Sequence, residues 1–353
     1  MQSTVLHGFG DYCLFAFLTR AHRPFIIQLA GCCFGLKAEY VREGEDLKIS
    51  IIGGGGRVGS NAAYALQLSG LANELAIVDV ALEQAQGEAM DLMHGSSLTA
   101  SQRIYAGGYE AVQDSDIVLI TAGLRRQPGE SRLELINRNV TLFRDILQQV
   151  KHTRLGDEAV IIVVSNPVDV LTMLAVQEAI VPSYRVIGLG TLLDTARFRS
   201  LLGEYFNVDP GSVNAVILGE HGDSMVPMWS TANIGGAPLA GFEQYDKEKV
   251  EQIFESTKKS GAEVIRLKGG AGYAVGVAIK VLIEAIVLDT RTVLPVSSLM
   301  TGQLGIDNVC LSLPTVVGRS GVLRIPDIAV SEEEKNAIRH SAGVLKETLA
   351  TIG

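Results

Sequence analysis

The stretch ISIIGGGGRVGSNAAYAL, Ile49–Leu66, decides the fold of this chain. It begins as a β-branched apolar run, which predicts a buried strand, and it turns through Gly54-x-Gly56-x-x-Gly59 into a helix. The first glycine permits the tight turn, the second lets the backbone approach a pyrophosphate, and the third lets helix and strand pack closely. Asp79 ends the next apolar run, 20 residues after Gly59, where its carboxylate would bind ribose hydroxyls and repel a 2′-phosphate. The stretch therefore predicts a site for NAD rather than NADP.

Residues 47–190 continue this alternation of short apolar runs and helical stretches. Buried runs flanked by helices form β-α-β units, whose strands lie side by side in a parallel sheet covered on both faces. We therefore predict an α/β fold whose first domain, residues 47–190, is a Rossmann doubly wound parallel sheet. Its strands are LKISII (47–52), ELAIVDV (74–80), DIVLITAG (116–123), AVIIVVSN (159–166) and RVIGLG (185–190).

The rhythm of the sequence changes after residue 190, where helical stretches alternate with segments rich in Gly, Pro and Ser. Ser331 and Glu334 have the spacing of a capping box and predict the start of a C-terminal helix. We predict that residues 191–353 form a mixed α+β catalytic domain. The other helical stretches in it are 191–206, 247–268 and 273–290.

Residues 1–46 form an extension with little periodicity, and up to Ala38 its only acid is Asp11. The alternatives are a targeting segment, an extension that the fold does not need, and a start codon assigned too early. Three of the four cysteines lie within the first 33 residues, and Cys310 stands alone afterwards. The absence of a disulfide framework favours a reducing, cytoplasmic setting.

The composition of the 353 residues excludes several classes of partner. A net charge of −9 argues against nucleic acid and anionic membranes, which bind basic surfaces. The sequence has no uninterrupted apolar run long enough for a transmembrane helix. No pair of histidines has the spacing of metal ligands, so we expect no metal.

Three residues of the second half have the chemistry of an alcohol dehydrogenation site. His221 lies among glycines and acids in VILGEHGDSMVP, and imidazole suits proton transfer from a hydroxyl group at neutral pH. Asp194 and Arg197 lie one helical turn apart in GLGTLLDTARFR. A carboxylate can orient the imidazole, and a planar guanidinium can bind both oxygens of a substrate carboxylate. A lone histidine is more often structural, so this interpretation depends on the neighbouring residues.

Taken together, these motifs resemble those of the L-lactate/malate dehydrogenase family. The resemblance covers residues 48–353 and leaves the extension outside. It implies an NAD-dependent L-2-hydroxy-acid dehydrogenase that forms a homodimer or homotetramer. The motifs that carry it, in family order, are GGGRVGS, IVDV, GEAMDLMHG, TAGLRRQPGESRLELINRNV, VSNPVDV, LDTARFR and GEHGDSMVPMWSTANIGG.

The resemblance also implies a role for each matching residue. His221 would donate and accept the proton, and Asp194 would orient it. Arg197 would hold the C1 carboxylate of the substrate, and Arg132 would polarise the C2 carbonyl from a loop. Asn166 would contact both substrate and cofactor.

Two positions predict the substrate. Six residues before the carbonyl-polarising arginine, lactate enzymes of the family typically carry glutamine and malate enzymes arginine, and this chain has Arg126. A second carboxylate in a closed pocket needs such a counter-charge. Gly272 matches a pocket position where lactate enzymes usually have threonine, which leaves room for a longer acid. Glu130, in contrast, is more typical of lactate enzymes. We therefore expect malate and oxaloacetate as substrates, with L-lactate and pyruvate as the alternative.

A rival hypothesis from another class is a non-catalytic NAD-binding protein. Such a protein could lose His221, Arg197 or Arg132 without penalty, and all three are present. The sequence therefore favours an enzyme whose partners are a small dicarboxylic or monocarboxylic acid and further copies of itself.

Overall fold

A computed structural model describes residues 14–17, 25–28, 39–41, 47–125, 127 and 129–352. The chain divides into two compact units, Met1–Asp46 and Leu47–Gly353. The predicted extension lies outside the described residues except for three short strands, which pair antiparallel in the order β1-β2-β3. These strands are β1 (Leu14–Phe17), β2 (Phe25–Gln28) and β3 (Glu39–Val41).

Six parallel strands form the centre of the second unit. They are β4 (Lys48–Ile52), β5 (Glu74–Val78), β6 (Arg103–Gly107), β7 (Ile117–Ile120), β8 (Val160–Val163) and β9 (Val186–Gly188). They lie in the order β6-β5-β4-β7-β8-β9. The chain thus starts at the centre of the sheet and winds outward in both directions, which is the Rossmann strand order. The predicted α/β fold with a doubly wound parallel sheet is confirmed.

Strand β6 has no counterpart among the predicted strands. It forms the edge of the sheet beside β5, and Ile104 is its one buried residue. Its neighbour Tyr105 donates a hydrogen bond to Glu74 Oε1 at 2.6 Å, and the Arg103 guanidinium lies 4.6 Å from the ring centroid of Tyr105. A half-covered edge strand with polar contacts has no continuous apolar run, so the pattern misses it.

Eight helices surround this sheet within the part of the chain that the structure describes. They are α1 (Arg57–Ser69), α2 (Leu82–His94), α3 (Arg132–Lys151), α4 (Val168–Glu178), α5 (Leu192–Phe206), α6 (Lys247–Lys268), α7 (Tyr273–Val287) and α8 (Glu332–Thr351). The side chains of β4 alternate between two cores, as in any strand covered on both faces. Ile49 and Ile51 pack with α1, α2 and α7, whereas Ile52 packs with α3, α4 and α8.

Helix α4 is buried along nearly its whole length, from Val168 to Ala175. A helix that is apolar on every side has no amphipathic period and is hard to tell from a strand. One charged residue, Asp169, lies inside this buried stretch with a relative exposure of 2%. The sequence pattern therefore does not identify the helix.

A long antiparallel hairpin extends the parallel sheet. It consists of β15 (Thr292–Thr301) and β16 (Asp307–Gly318), followed by β17 (Gly321–Arg324), and it joins β9 through the pair Ser297 and Gly188. The resulting sheet has nine strands. Ser297 and Ser298 are buried in β15, so its sequence does not look like an apolar strand. The second half of the chain thus completes the sheet of the first, and the predicted boundary at residue 190 stays a prediction.

Short strands position the loop that carries His221. A first pair is β11 (Ile217–Leu218) and β12 (Val226–Pro227), and a small sheet of β10 (Val213–Asn214), β13 (Asn233–Ile234) and β14 (Ala237–Pro238) lies nearby in the chain. We call residues 219–225, between β11 and β12, the histidine loop. Helix α8 begins at the predicted capping box, because Ser331 Oγ accepts from Glu334 N and the Glu334 carboxylate accepts from Ser331 N. No helix in the described part of the chain has the length and apolar character needed to cross a bilayer.

Candidate active site

Most of the predicted site residues follow the carboxyl ends of the parallel strands, whereas His221 lies on the histidine loop and Gly272 at the start of α7. In such sheets these ends share one edge, where ligands bind. Residues 53–59, which we call the glycine loop, follow β4, and Asp79 follows β5. Residues 124–132, which we call the substrate loop, follow β7. Asn166 follows β8, and α5 with Asp194 follows β9. Among the described residues, no group of three or more His, Cys, Asp or Glu side chains could hold a metal ion.

The glycine loop packs closely at its first and third glycines and is open at its second. A Cβ on Gly54 would lie 2.7 Å from Ile77 Cγ2, and a Cβ on Gly59 would lie 2.7 Å from Gly54 Cα. At Gly56 the nearest atom would be the carbonyl oxygen of Gly53, at 3.2 Å, and no other described atom lies within 4 Å. The second glycine therefore leaves free backbone for a ligand to approach, as the motif predicts.

The first turn of α1 offers hydrogen-bond donors. Gly56 is the N-cap of α1, and as a glycine it has no side chain to accept from the first backbone N–H groups. The first turn also carries no acid. A helix N-terminus in this state binds anions such as a pyrophosphate, so the loop fits the dinucleotide that the sequence predicts.

Asp79 closes the glycine loop from the next strand. Its Oδ2 accepts from Gly55 N at 3.1 Å, and its Oδ1 accepts from Ala81 N at 3.0 Å. Each carboxylate oxygen can accept a second hydrogen bond. The residue therefore keeps acceptors for ribose hydroxyls while it holds the loop in shape.

The close contact at Gly59 leads to a stability prediction. We expect Gly59→Ala to lower the free energy of unfolding by about 1–3 kcal/mol, because the added methyl group meets backbone that has to move. The same displacement should weaken NADH binding. Gly87→Ala in α2 is the matched control: nothing lies within 4 Å of its Cβ position, so alanine should raise stability by about 0.5–1 kcal/mol. Denaturant unfolding and NADH fluorescence titration measure both effects, and wild-type values for Gly59→Ala would contradict the prediction.

His221, Asp194 and Arg197 form a connected group. His221 Nδ1 lies 2.5 Å from Asp194 Oδ2, and Arg197 Nη1 donates to Asp194 Oδ1 at 3.2 Å. The Asp194 side chain is 2% exposed, whereas those of His221 and Arg197 are 25% and 17% exposed. The buried carboxylate thus fixes two side chains that are themselves partly exposed.

The electrostatics of this group favour a protonated imidazole. Burial alone would lower the pKa of His221, but the charge and the hydrogen bond of Asp194, with a contribution from Asp169, raise that pKa to about 9. Burial raises the pKa of Asp194, yet His221 and Arg197 outweigh it, so this pKa lies below its usual value of 3.8. With Nδ1 on Asp194, the Nε2–H group of the imidazolium is left to donate a proton.

Arg132 lies at the first position of α3 and contacts the histidine loop. Its Nη1 forms a short ion pair with Asp223 Oδ2, in which both side chains are well exposed. Such an exposed pair contributes little to stability and can exchange partners. Arg132 therefore lies near the histidine loop, and its exposed pairing with Asp223 is weak enough for another group to replace it.

Glu130 shapes the substrate loop. Its Oε1 accepts from Arg138 Nη1 at 2.6 Å, and its Oε2 accepts from Gln127 N at 2.8 Å. Arg125 is exposed. Arg126, the predicted selector for a second carboxylate, lies outside the described residues.

The two remaining predicted site residues have different surroundings. Asn166 is exposed between β8 and α4, before Pro167. Gly272 is the N-cap of α7, where a Cβ would lie 2.8 Å from Asn61 Nδ2 and 3.2 Å from Arg57 Cγ, both on α1. Close approach of α7 to α1 thus accounts for this glycine, and its place in a substrate pocket stays a prediction.

One residue that contacts the histidine loop was missed in the sequence. Asp169 Oδ2 accepts a hydrogen bond from the backbone N–H of His221 at 2.7 Å. The signal was present, because a carboxylate inside the apolar run VDVLTMLAV is unusual. It could not be connected with His221 before the fold was known.

Comparison with known proteins extends these observations. The family model for the NAD binding domain of lactate/malate dehydrogenase matches residues 47–188, and the model for the alpha/beta C-terminal domain of lactate/malate dehydrogenase matches residues 191–352. The L-lactate dehydrogenase of Thermoanaerobacter pseudethanolicus is 42% identical over 86% of this chain and 98% of its own. L-lactate dehydrogenase 1 of Clostridium acetobutylicum is 43% identical over 87% and 99%. The crystal structure of the minor L-lactate dehydrogenase from Enterococcus mundtii, in a ligand-bound form, superimposes with a TM-score of 0.83 at 36% identity, covering 87% of this chain and 99% of that one.

These matches correct the expected substrate. The expectation of malate and oxaloacetate is wrong, because the proteins that match 86–87% of this chain are named L-lactate dehydrogenase. That expectation depended on the charge of Arg126. A charged side chain on a loop selects a substrate only if it enters the closed pocket. The position of a residue in the loop does not by itself determine whether its side chain does so. The matches bear out NAD as the cofactor and an NAD-dependent oxidoreductase as the enzyme class. This chain belongs to the lactate/malate dehydrogenase family.

Proposed function

We propose that this chain is an L-lactate dehydrogenase that interconverts pyruvate and L-lactate with NADH and NAD. The observation that carries the proposal is the name shared by the relatives and the solved structure, which match the chain across both halves of the site. The His221–Asp194–Arg197 group supports it, because a 2-oxo acid presents one carboxylate and one carbonyl oxygen to be bound and protonated.

Arg197 is proposed to bind the carboxylate of the substrate. Its Nη1 is held by Asp194 Oδ1, which leaves the other donors of the planar guanidinium for two carboxylate oxygens. The Asp194 contact restricts the rotamers of the side chain, so less conformational entropy is lost when the substrate binds.

His221 is proposed to transfer the proton. In the direction of pyruvate reduction, its Nε2–H group donates to the carbonyl oxygen, and the Asp194 carboxylate orients the ring through Nδ1. Bound NADH supplies the hydride that reduces C2. In the direction of lactate oxidation, neutral Nε2 accepts the hydroxyl proton, and Asp194 stabilises the imidazolium that forms.

Arg132 is proposed to stabilise the negative charge that develops on the carbonyl oxygen. In the structure its guanidinium is paired with Asp223 on the histidine loop, so the substrate carbonyl would have to replace or share that partner. Asn166, at the end of β8, is proposed to contact substrate and cofactor, and Asp79 to bind the adenosine ribose. The homo-oligomeric state and the cytoplasmic setting stay predictions.

A direct comparison of two keto acids tests the proposal. With saturating NADH at pH 7, we expect kcat/KM for pyruvate to exceed that for oxaloacetate by at least about tenfold, since a site built for one carboxylate leaves the second one unpaired and desolvated. Initial rates of NADH oxidation measure the ratio. Equal values, or a preference for oxaloacetate, would contradict the proposal.

Two neighbouring arginines serve as control variants in this comparison. Arg126→Gln tests whether Arg126, whose charge favoured malate as the expected substrate, affects the preference between the two keto acids. Arg125→Gln removes the same charge from an exposed side chain in the same loop. A change of the substrate ratio in Arg126→Gln alone would show a local contact, and equal changes in both variants would show a general effect of loop charge.

A further inference from the structure

Three consecutive backbone amides of the histidine loop are each held by a different element. This arrangement leaves residues 219–221 little freedom to shift, because every N–H group has a partner on a separate part of the fold. Gly219 N donates to Ser312 O on β16 at 2.9 Å, Glu220 N to Ser341 Oγ on α8 at 2.7 Å, and His221 N to Asp169 Oδ2 on α4 at 2.7 Å.

The acceptor for His221 differs from the other two because it is a buried acid. Asp169 is 2% exposed, and its Oδ1 has no hydrogen-bond partner among the described residues. A buried carboxylate with one hydrogen bond is costly, since it loses its hydration. Ser341 shows that a neutral oxygen suffices to hold the preceding amide. Anchoring alone therefore does not explain why residue 169 carries a charge.

The surroundings of Asp169 place one cation against it. Burial raises its pKa to about 6, while the nearby Ser297 hydroxyl, which lies outside hydrogen-bond geometry with Asp169, and the backbone N–H and charge of His221 oppose that rise. Glu220, on the histidine loop, adds to the rise. On β16, Cys310 is fully buried and its pKa lies well above 9.0, so it stays a neutral thiol. Among the described residues, the imidazolium of His221 is thus the positive charge that faces this carboxylate.

We propose that Asp169 is a positioning residue for His221: its carboxylate holds the peptide of the histidine, and its charge favours the protonated imidazole. This inference rests on the proposed role of His221 as proton donor. It assigns two carboxylates to one imidazole. Asp194 binds the ring at Nδ1, whereas Asp169 accepts from the backbone N–H of His221 and acts on the imidazole through its negative charge.

The other charged groups around the imidazole do not replace Asp169. Arg197, on α5, lowers the proton affinity of His221 and so works against both carboxylates. On the histidine loop, Asp223 is exposed and paired with Arg132 from α3. Besides Asp194, Asp169 is the other negative charge that raises the proton affinity of the imidazole.

The sign of the pH dependence follows from these charges. Pyruvate reduction needs protonated His221, so its kcat/KM is constant at low pH and falls as pH rises through the pKa of that residue. Lactate oxidation needs the neutral ring and rises through the same pKa. Removing the charge of Asp169 lowers this pKa, which should move both curves to lower pH by about 1 unit.

The stability of the variant has its own sign. Folding raises the pKa of Asp169 from 3.8 to about 6. Between these two pH values the folded protein holds this proton more firmly than the unfolded chain, so the free energy of unfolding decreases as pH increases through this range. At pH 7.5 the ionised carboxylate therefore destabilises the fold. An asparagine at this position keeps an acceptor for His221 N and should give a melting temperature at least equal to that of the wild type.

The experiment compares Asp169→Asn with Ser341→Ala. The first variant removes the charge and keeps the anchor, whereas the second removes the neutral anchor of the neighbouring amide and keeps the charge. We expect kcat/KM for pyruvate to fall at lower pH in Asp169→Asn than in the wild type, with an unchanged or higher melting temperature. In Ser341→Ala the rate should drop without a shift of the pH curve.

A second readout does not depend on turnover. Carbon-13 labelling of the six histidines and titration by NMR give the pKa of His221, whose signal is the one missing in His221→Asn. We expect this pKa to be lower by about 1 unit in Asp169→Asn. An unshifted pKa and pH curve, or equal shifts in both variants, would overturn the inference. A wild-type protein that titrates as expected but does not reduce pyruvate would instead overturn the proposed function.

Discussion

Replacement of His221 by asparagine is expected to lower kcat for pyruvate reduction by about 10²- to 10⁴-fold, the usual contribution of a positioned general acid. Asparagine can still accept or donate hydrogen bonds, but it cannot deliver a proton at neutral pH. The contacts of the glycine loop and Asp79 do not involve this residue, so the dissociation constant of NADH should stay within about twofold of the wild type.

Stopped-flow turnover and NADH fluorescence titration separate the two effects. His152→Asn is the matched control, because that histidine is exposed at the end of α3 and should give wild-type rates. Retention of more than about a tenth of the activity in His221→Asn would exclude the proposed role. Loss of activity together with loss of NADH binding would indicate a disturbed fold instead.

Replacement of Arg197 by lysine is expected to lower kcat/KM for pyruvate by about 30- to 5,000-fold, the effect of losing about 2–5 kcal/mol at a desolvated charge pair. Lysine keeps the charge but cannot bind two carboxylate oxygens in one plane. The carboxylate does not change its charge during the reaction, so ground state and transition state lose similar binding energy. The effect should therefore fall mainly on KM.

Steady-state kinetics of both directions check this expectation. Arg199→Lys is a suitable control on the same helix, because Arg199 donates through Nε to the carbonyl oxygen of Ala215 and contacts no part of the His221 group that the structure describes. An effect on kcat alone in Arg197→Lys would assign the arginine to the transition state rather than to carboxylate binding. Equal effects in both variants would indicate a general loss of α5 geometry.

Most of the parallel sheet could be predicted from its apolar runs. Strands β4, β5, β7, β8 and β9 are buried on both faces and read as short β-branched segments between helices, which is a local signal. Strand β6 and helix α4 were not identified, for opposite reasons. The strand is too exposed to form an apolar run, and the helix is too uniformly buried to show a period.

The antiparallel hairpin β15–β16 lies beyond such local signals. Pro295, Ser297 and Ser298 interrupt the pattern, and the strand is recognisable only through its pairing with β16 and β9. The pairing with β16 is local, but the pairing of Ser297 with Gly188 joins segments more than a hundred residues apart, and no short window of sequence contains it.

The candidate site shows the same division. His221, Asp194, Arg197 and the glycine loop could be proposed because each has a characteristic residue type in a characteristic motif. The anchor at Asp169 depends on a hydrogen bond that spans 52 positions, and motif spacing does not predict it. The substrate prediction was wrong because it gave the charge of Arg126 more weight than the similarity of the rest of the sequence to lactate enzymes.

The anchor of the histidine loop on α8 also orders events during translation. Ser341 follows Glu220 by 121 positions, and Glu334, also on α8, accepts a hydrogen bond from Ser230 N at 2.9 Å. All six parallel strands, in contrast, have been synthesised by residue 188. During synthesis, all six strands of the parallel sheet therefore exist well before α8, the helix that anchors the histidine loop.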